Sequence, residues 1–189
     1  VDFNIIVNTL PIIPTIAPFQ LCIDENETMA DFVFADKDSD ILNSQTGKEV
    51  FYFEDPSFTT PIDKNVPYTS SGEETIYVRV ENITDPNCYR PSSFTIEVAS
   101  NPNYNTNFTD FPPVCQSSGG SHTFDLESKR QEIMQGSTDV LNVNFYLTPE
   151  EAHNNANSFL PAQYTSEALQ GQFYARIENT ANSCYIIEE

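Results

Sequence analysis

Basic residues are scarce in this chain. Of its 189 residues, eight are Lys or Arg against 28 Asp or Glu, giving a net charge of −20 and a pI near 4.1. Binding to nucleic acid needs cations that displace counterions from phosphates, so the charge excludes nucleic acid as a partner. An anionic membrane surface is excluded on the same ground. Long apolar runs are lacking as well. The most apolar stretch, residues 10–19, is interrupted by Pro11, Pro14 and Pro18, so no segment reads as a membrane-spanning helix and no membrane insertion is expected. There are only six Gly, and none opens a phosphate-cradling loop. No C-x-x-C pair occurs and neither His lies near a Cys, which argues against zinc. With no initial Met and no signal peptide, the sequence reads as a mature or excised piece. What is present is aromatic bulk, 14 Phe and 9 Tyr, enough to build cores despite the charge.

The chain repeats itself. Residues 76–89, IYVRVENITDPNCY, are answered by FYARIENTANSCY at 173–185. VFYFEDP (50–56) is answered by VNFYLTP (143–149), and VPYTS (66–70) by LPAQYTS (160–166). Phe32 stands before Ile41-Leu42 as Phe124 stands before Ile133-Met134, and Cys22 and Cys88 are spaced much as Cys115 and Cys184. An ordered series of landmarks with a period of about 95 residues means two copies of one module. FNIIV (3–7) then looks like the end strand of a preceding copy followed by a linker, or the first strand of copy one if the boundary sits earlier; the expected division is 1–18 (end strand plus linker), 19–100 (copy one) and 101–189 (copy two). The Pro-rich joints predict extended, semi-rigid spacing.

Period-two alternation predicts strands. Ile76, Val78 and Val80 share one face of a strand and Tyr77, Arg79 and Glu81 the other; Phe173, Ala175 and Ile177 alternate likewise with Tyr174, Arg176 and Glu178. Clusters of Gly, Pro, Asn, Asp and Ser punctuate the gaps. The expected fold class is all-β: two tandem Ig-like antiparallel β-sandwich modules joined by a Pro-rich linker. Helical signal is thin. PEEAHNNA (149–156) can make one or two turns, with Glu150 and Glu151 at the end the helix dipole favours for acids.

A module of about 90 residues is marginal by core alone, and the cysteines answer that need. Four Cys allow three pairings. The repeat argues for Cys22–Cys88 and Cys115–Cys184, one bridge per copy, each contributing about 4 kcal/mol by chain entropy. The competing reading is four buried thiols in a reducing compartment.

Candidate chemistry is sparse. Asp36, Asp38 and Asp40 alternate as calcium-ligating carboxylates do on a loop, with Glu54 and Asp55 able to join. The Gly and Glu of the calcium-loop signature are missing, however, and copy two holds Ser128, Arg130 and Glu132 at the matching positions. A solvated acidic turn is the simpler reading. His122 and His153 belong to copy two alone and fit no catalytic motif. Acidic pairs for glycoside chemistry are everywhere and none stands out, so no enzyme is expected. Arg79 and Arg176 recur at one position, as do Tyr77 and Tyr174, Tyr68 and Tyr164, and Tyr89 and Tyr185; Tyr52 and Tyr146 are matched too. These predict structure: an Arg paired with a cross-strand carboxylate and lying over an aromatic ring. Glycosylation sequons stand at Asn26, Asn82 and Asn107.

Taken in order, Cys, Ile-Leu or Ile-Met, F-Y-[FL], [VL]-P…Y-T-S, [IF]-Y-[VA]-R-[VI]-E-N and C-Y, this chain resembles the repeats of giant SprB-type gliding adhesins on the surface of Bacteroidetes. Copy two keeps that family's middle segment as FYLTPEEA (145–152); copy one departs with FYFEDPSF (51–58). The resemblance implies type IX secretion, attachment at the outer-membrane surface, and movement by the gliding machinery through the parent protein. It supplies no catalytic residues. The expected function is a non-enzymatic structural or adhesive repeat supporting gliding and surface attachment. Its partners would be neighbouring repeats of the same chain and extracellular polysaccharide or a solid substratum. The alternative is a carbohydrate-binding module of a secreted polysaccharide-acting protein. No cofactor is expected beyond the calcium candidate at Asp36, Asp38 and Asp40.

Overall fold

The computed structural model describes residues 7–24, 26–115, 120–166 and 171–189. Residues 3–6 of the expected end strand lie outside these, and Val7 is in no strand. The chain divides into two compact units, Val1–Ala99 and Ser100–Glu189.

In the first unit, β1 (Phe19–Ile23), β2 (Ala30–Phe32), a 3-10 turn (Phe34–Lys37) and α1 (Asp38–Leu42) precede β3 (Lys48–Phe53). Then come β4 (Pro61–Ile62), β5 (Tyr68–Ser70), β6 (Glu74–Asn82) and β7 (Asp85–Ser100). Five strands make one sheet in the order β1-β7-β6-β3-β4, and β2 pairs with β5 in a second layer. The alternation in β6 does what period two requires: Ile76, Val78 and Val80 are buried while Tyr77 and Arg79 are half-exposed. Between the layers Phe34 stacks on Tyr52 at 5.2 Å, and Phe94 meets both rings edge-on.

The second unit runs β8 (His122–Asp125), α2 (Leu126–Met134), β9 (Leu141–Tyr146), α3 (Pro149–His153), β10 (Gln163–Ser166), β11 (Tyr174–Asn179) and β12 (Tyr185–Glu188). Its sheets are β12-β11-β9 and β10-β8. Strand is the main regular structure of the described residues, with few helices, and each unit is a β-sandwich, as expected.

Three details depart from expectation. The acidic segment 36–40 is helical, a 3-10 turn running into α1, where a loop is expected. Its counterpart in copy two is α2, which the sequence reading lacks altogether. There Asp125 accepts a hydrogen bond from the Ser128 N–H as N-cap, and Leu126 and Ile133, two turns apart, bury on one face. α3 falls inside the stretch expected to be helical, with Pro149 in its first turn and the Thr148 hydroxyl accepting from the Glu151 N–H.

The third concerns register. Arg79 faces Phe51 across β3–β6, and Arg176 faces Asn144 across β9–β11. Position by position this puts Val50 with Val143, Tyr52 with Phe145, and Phe53 with Tyr146. Tyr52 and Tyr146 are therefore not equivalent; aligning them slips the strand by one residue and exchanges its faces.

The joints are part of the cores. Ile13, Ile16, Phe19 and Leu21 pack on the first core, and Tyr104, Phe108 and Phe111 on the second. The Gln45 side chain exchanges hydrogen bonds with the Ile12 backbone. In the same place of copy two, Asn105 donates from its backbone to the Ile133 carbonyl and from its side chain to that of Glu132, at 2.9 Å each. Both contacts tie the incoming joint to the end of a helix, where carbonyls lack intrahelical partners.

Candidate functional site

Cys22 is exposed on β1, and Cys184 is buried just ahead of β12; both are disulfide-bonded. Cys88, half-buried, and Cys115, exposed, carry free thiols. The expectation of Cys22–Cys88 and Cys115–Cys184 is corrected: the bridge is Cys22–Cys184, joining a cysteine of copy one to a cysteine of copy two. The sequence could not decide this, because a repeat is satisfied equally by pairing within each copy and by pairing each copy's first cysteine with the next copy's second.

The loop holding Cys184 is closely specified. Ser183 is in the left-handed region, the Asn182 side chain accepts from the Cys184 N–H, and the Asn179 N–H donates to the Cys184 carbonyl. Asn82, at Asn179's position, reaches the same carbonyl in copy one: its Nδ2 donates to Cys88 O at 3.1 Å. One Asn thus positions the second cysteine of each copy. This also buries the Asn82 sequon, whose amide donates to Thr9 O as well, while Asn26 and Asn107 are exposed.

The repeated arginines take the structural role expected of them, with one correction. Arg79 bonds Glu81 and Arg176 bonds Glu178, each two positions along its own strand rather than across the sheet. Arg79 lies 4.9 Å from the Tyr89 ring centroid and near Phe53 and Phe58; Arg176 lies 3.3 Å from that of Tyr185. Arg176 also donates to the carbonyls of Ala152 and His153 at the end of α3.

The calcium candidate comes apart. On a helix, alternate residues do not share a face, and the charges of Asp38 and Asp40 are already engaged. Asp38 accepts from the Tyr52 hydroxyl and from Lys64 Nζ, both at 2.8 Å, and Asp40 pairs with Lys37. Burial first, then Asp38 beside it, pushes the Tyr52 phenol far above its ordinary range. Asp55 closes its own turn by accepting from the N–H groups of Ser57, Thr59 and Thr60. Among the described residues no group of three His, Cys, Asp or Glu is placed to hold a metal. Asp36, Asp38 and Asp40 are therefore no calcium-ligand set in this fold.

The histidines serve packing. His122 meets Phe124 edge-on at 4.9 Å, and His153 Nδ1 lies 3.3 Å from the Tyr185 hydroxyl. Tyr68 is pushed up to about 12 by burial and by its hydrogen bond to Glu74. No helix of the described residues is long and apolar enough to cross a membrane.

Two tandem β-sandwiches with one disulfide between their sequences make a class of bridged repeat module. Residues 18–102 and 112–189 both match the model of the Flavobacterium inter-domain disulphide bond domain, and the chain belongs to that family. No curated protein matches the chain.

Proposed function

We propose that this chain is a non-enzymatic, load-bearing pair of repeats from an extracellular adhesin displayed on the outer-membrane surface and serving attachment and gliding. The observation that carries the reading is the Cys22–Cys184 bridge in a chain whose two copies belong to a Flavobacterium inter-domain disulphide family. Structural disulfides persist in oxidising compartments, which favours a secreted setting. The bridge also has a mechanical meaning. Tension applied at the two ends passes along residues 1–22, through the sulfurs, and out along 184–189, so everything between the two cysteines stands outside the load path, while most of β1 and all of β12 lie on it. The folded state is protected further because closing so long a loop removes about 5 kcal/mol of unfolded-state entropy. The high negative charge keeps such an array soluble and extended, less so in high salt.

Single-molecule pulling on the ends of the chain tests the mechanics. With the bridge closed, the segment between Cys22 and Cys184 adds no length to the trace. With dithiothreitol, or in Cys22→Ser, the contour grows by about 550 Å, at roughly 3.4 Å for each residue between the cysteines. Unfolding lengths that ignore the reductant would overturn the load-bypass reading. Antibody labelling of live source cells tests the setting: moving surface spots are expected, and label seen only after permeabilisation would overturn the adhesin.

A carbohydrate-binding role has one observation in its favour. Phe51 and Tyr89 are exposed on the same sheet as Arg79, and copy two has Asn144 where copy one has Phe51. Glycan binding lost in both Phe51→Ala and Tyr89→Ala would establish it.

A further inference from the structure

We infer that copy two takes up one further strand, and that this strand is residues 3–7 of a second copy of this chain. Copy one shows what the place requires. There the second half of β7 runs beside β6, with Phe94 opposite Ile76 and Ile96 opposite Glu74, and β1 lies on its other edge. At period two it sends Phe94, Ile96 and Val98 onto the core.

Copy two has no such strand among its described residues. The register of β12 on β11 stops with Glu188 opposite Ala175, the place that Ser92 takes opposite Val78 in copy one. Nothing in β12 therefore stands where Phe94 and Ile96 stand. The neighbouring side chains show the difference. Phe32 and Ile76 are fully buried in copy one, whereas their counterparts Phe124 and Phe173 are only half-buried. Residues 111–115, in the place of β1, form no strand, and the sheet neighbour of β1 in copy one is β7. A cleft of about 930 Å³ opens here, walled by Phe111, Phe124, Phe145, Phe173 and Ala175. An apolar cleft beside a shortened sheet edge is the form that takes up an added strand.

The sequence supplies the occupant. FNIIV at 3–7 repeats FTIEV at 94–98, with Phe3, Ile5 and Val7 in the places of Phe94, Ile96 and Val98. Its position repeats as well. Two residues on from Val98, the Ser100 carbonyl accepts from the Asn182 side chain. Two residues on from Val7, the Thr9 carbonyl accepts from the side chains of Asn82 and Lys48. Each segment thus leads into the copy that follows through a carbonyl held near the turn between that copy's last two strands. Val98 packs on a core, yet Val7 is 84% exposed and in no strand. A second molecule that lays its residues 3–7 in the cleft repeats the way residues 94–98 finish copy one and lead into copy two. The inference stands on the fold of copy two and not on the load-bearing reading.

The test uses the full chain carrying Cys88→Ser and Cys115→Ser, so that no free thiol links molecules. Sedimentation should show self-association that grows with concentration. Ile5→Asp should weaken it about tenfold or more, because the strand then brings a charge into an apolar cleft. Ile6→Asp, one position along and on the other face of the strand, should change it by less than about threefold. The peptide of residues 1–8, added to the Ile5→Asp chain, should bind at one site and slow amide exchange at Phe111, Val114, Phe173 and Tyr174. Equal effects of Ile5→Asp and Ile6→Asp would overturn the inference, as would a peptide that fails to bind or protects amides elsewhere. If the chain with an intact strand stays monomeric while the Ile5→Asp chain takes the peptide, each molecule fills its own cleft, and the second copy is overturned as the occupant.

Discussion

Copies one and two solve the same packing problem with opposite charges. In copy one the helical segment offers Asp38 to the core edge, where it takes the Tyr52 hydroxyl and Lys64, and Lys64 reaches on toward the Val50 carbonyl at 3.4 Å. In copy two the position of Asp38 is Arg130, that of Tyr52 is Phe145, and that of Val50 is Val143. Arg130 donates to the Val143 carbonyl at 2.7 Å, bonds Glu127, and sits 5.9 Å from the Phe145 ring. The carbonyl is satisfied by a cation in both copies, but the cation comes from a loop in one and from the helix in the other. The aromatic loses its hydroxyl where it loses its acceptor. What the fold demands is a donor at that carbonyl and no orphaned polar atom beneath it; which residues comply is free to drift, provided they drift together.

Around this exchange the two copies are close replicas. Lys37 pairs with Asp40 and lies 5.4 Å from the Phe19 ring; Lys129 pairs with Glu132 and lies 5.2 Å from that of Phe111. Phe19 meets Phe32 edge-on at 5.2 Å, and Phe111 meets Phe124 at 5.3 Å.

The sharpest way to break the comparison is to move one member of the set without the others. Asp38→Arg places a second cation beside Lys64 and leaves the buried Tyr52 hydroxyl without its acceptor, costing about 2 to 3 kcal/mol. The triple variant Asp38→Arg, Tyr52→Phe, Lys64→Ser copies the arrangement of copy two and should recover most of that loss. Chemical denaturation followed by hydrogen exchange in β3 and β6 reads both. Additive losses in the triple variant would show that the three positions are not coupled.

The arginines provide a second, smaller contrast. Arg176 is buried against Tyr185 and satisfies two α3 carbonyls, whereas Arg79 keeps more of its side chain in water and leans on three rings. Arg176→Ala should therefore open β11 amides more than Arg79→Ala opens those of β6, by about 1 kcal/mol in protection free energy. Equal protection losses would place the stabilisation in the shared Glu partner instead.

Much of this was legible in the sequence, and the failures have physical causes. The repeat, the strands and the structural role of Arg79 and Arg176 follow from period and position, which are local. α2 was hidden because its two core anchors, Leu126 and Ile133, are separated by polar residues, so its apolar stripe is only two residues wide. The capping Asp125 was its available signal. The helical character of 36–40 was masked by Asp and Ser, poor helix formers that packing of Phe34 and Ile41 overrides. The Tyr52 register turned on one residue, which only the partner strand reveals. The Cys22–Cys184 pairing needs knowledge of which copies meet, a property of assembly that no spacing within a copy contains.

The finest contrast lies at Asp55 and Thr148, which occupy one position in the two copies and both cap the turn that follows, ahead of Pro56 and Pro149. Thr148 begins a helix; Asp55 gathers three N–H groups into a loop that carries Phe58 in the left-handed region, against Phe53. Desolvation alone would raise the Asp55 carboxyl, but the N–H groups of Thr60, Thr59 and Ser57 outweigh it and hold it below the ordinary carboxylate range. The sign of the pH effect follows. A carboxyl lowered by folding stabilises above its unfolded pKa, and that contribution fades as pH falls through the folded value. The Thr148 hydroxyl does not titrate, so its cap persists in acid. Thr148→Ala should cost about 1 kcal/mol at any pH, while Asp55→Asn should weaken the 55–60 turn near neutrality and make no difference once the wild-type carboxyl is protonated. Exchange rates of the Thr59 and Thr60 amides across an acid series separate the two. A turn whose protection stays constant down to the lowest pH would mean that backbone geometry, and not the Asp55 charge, holds it.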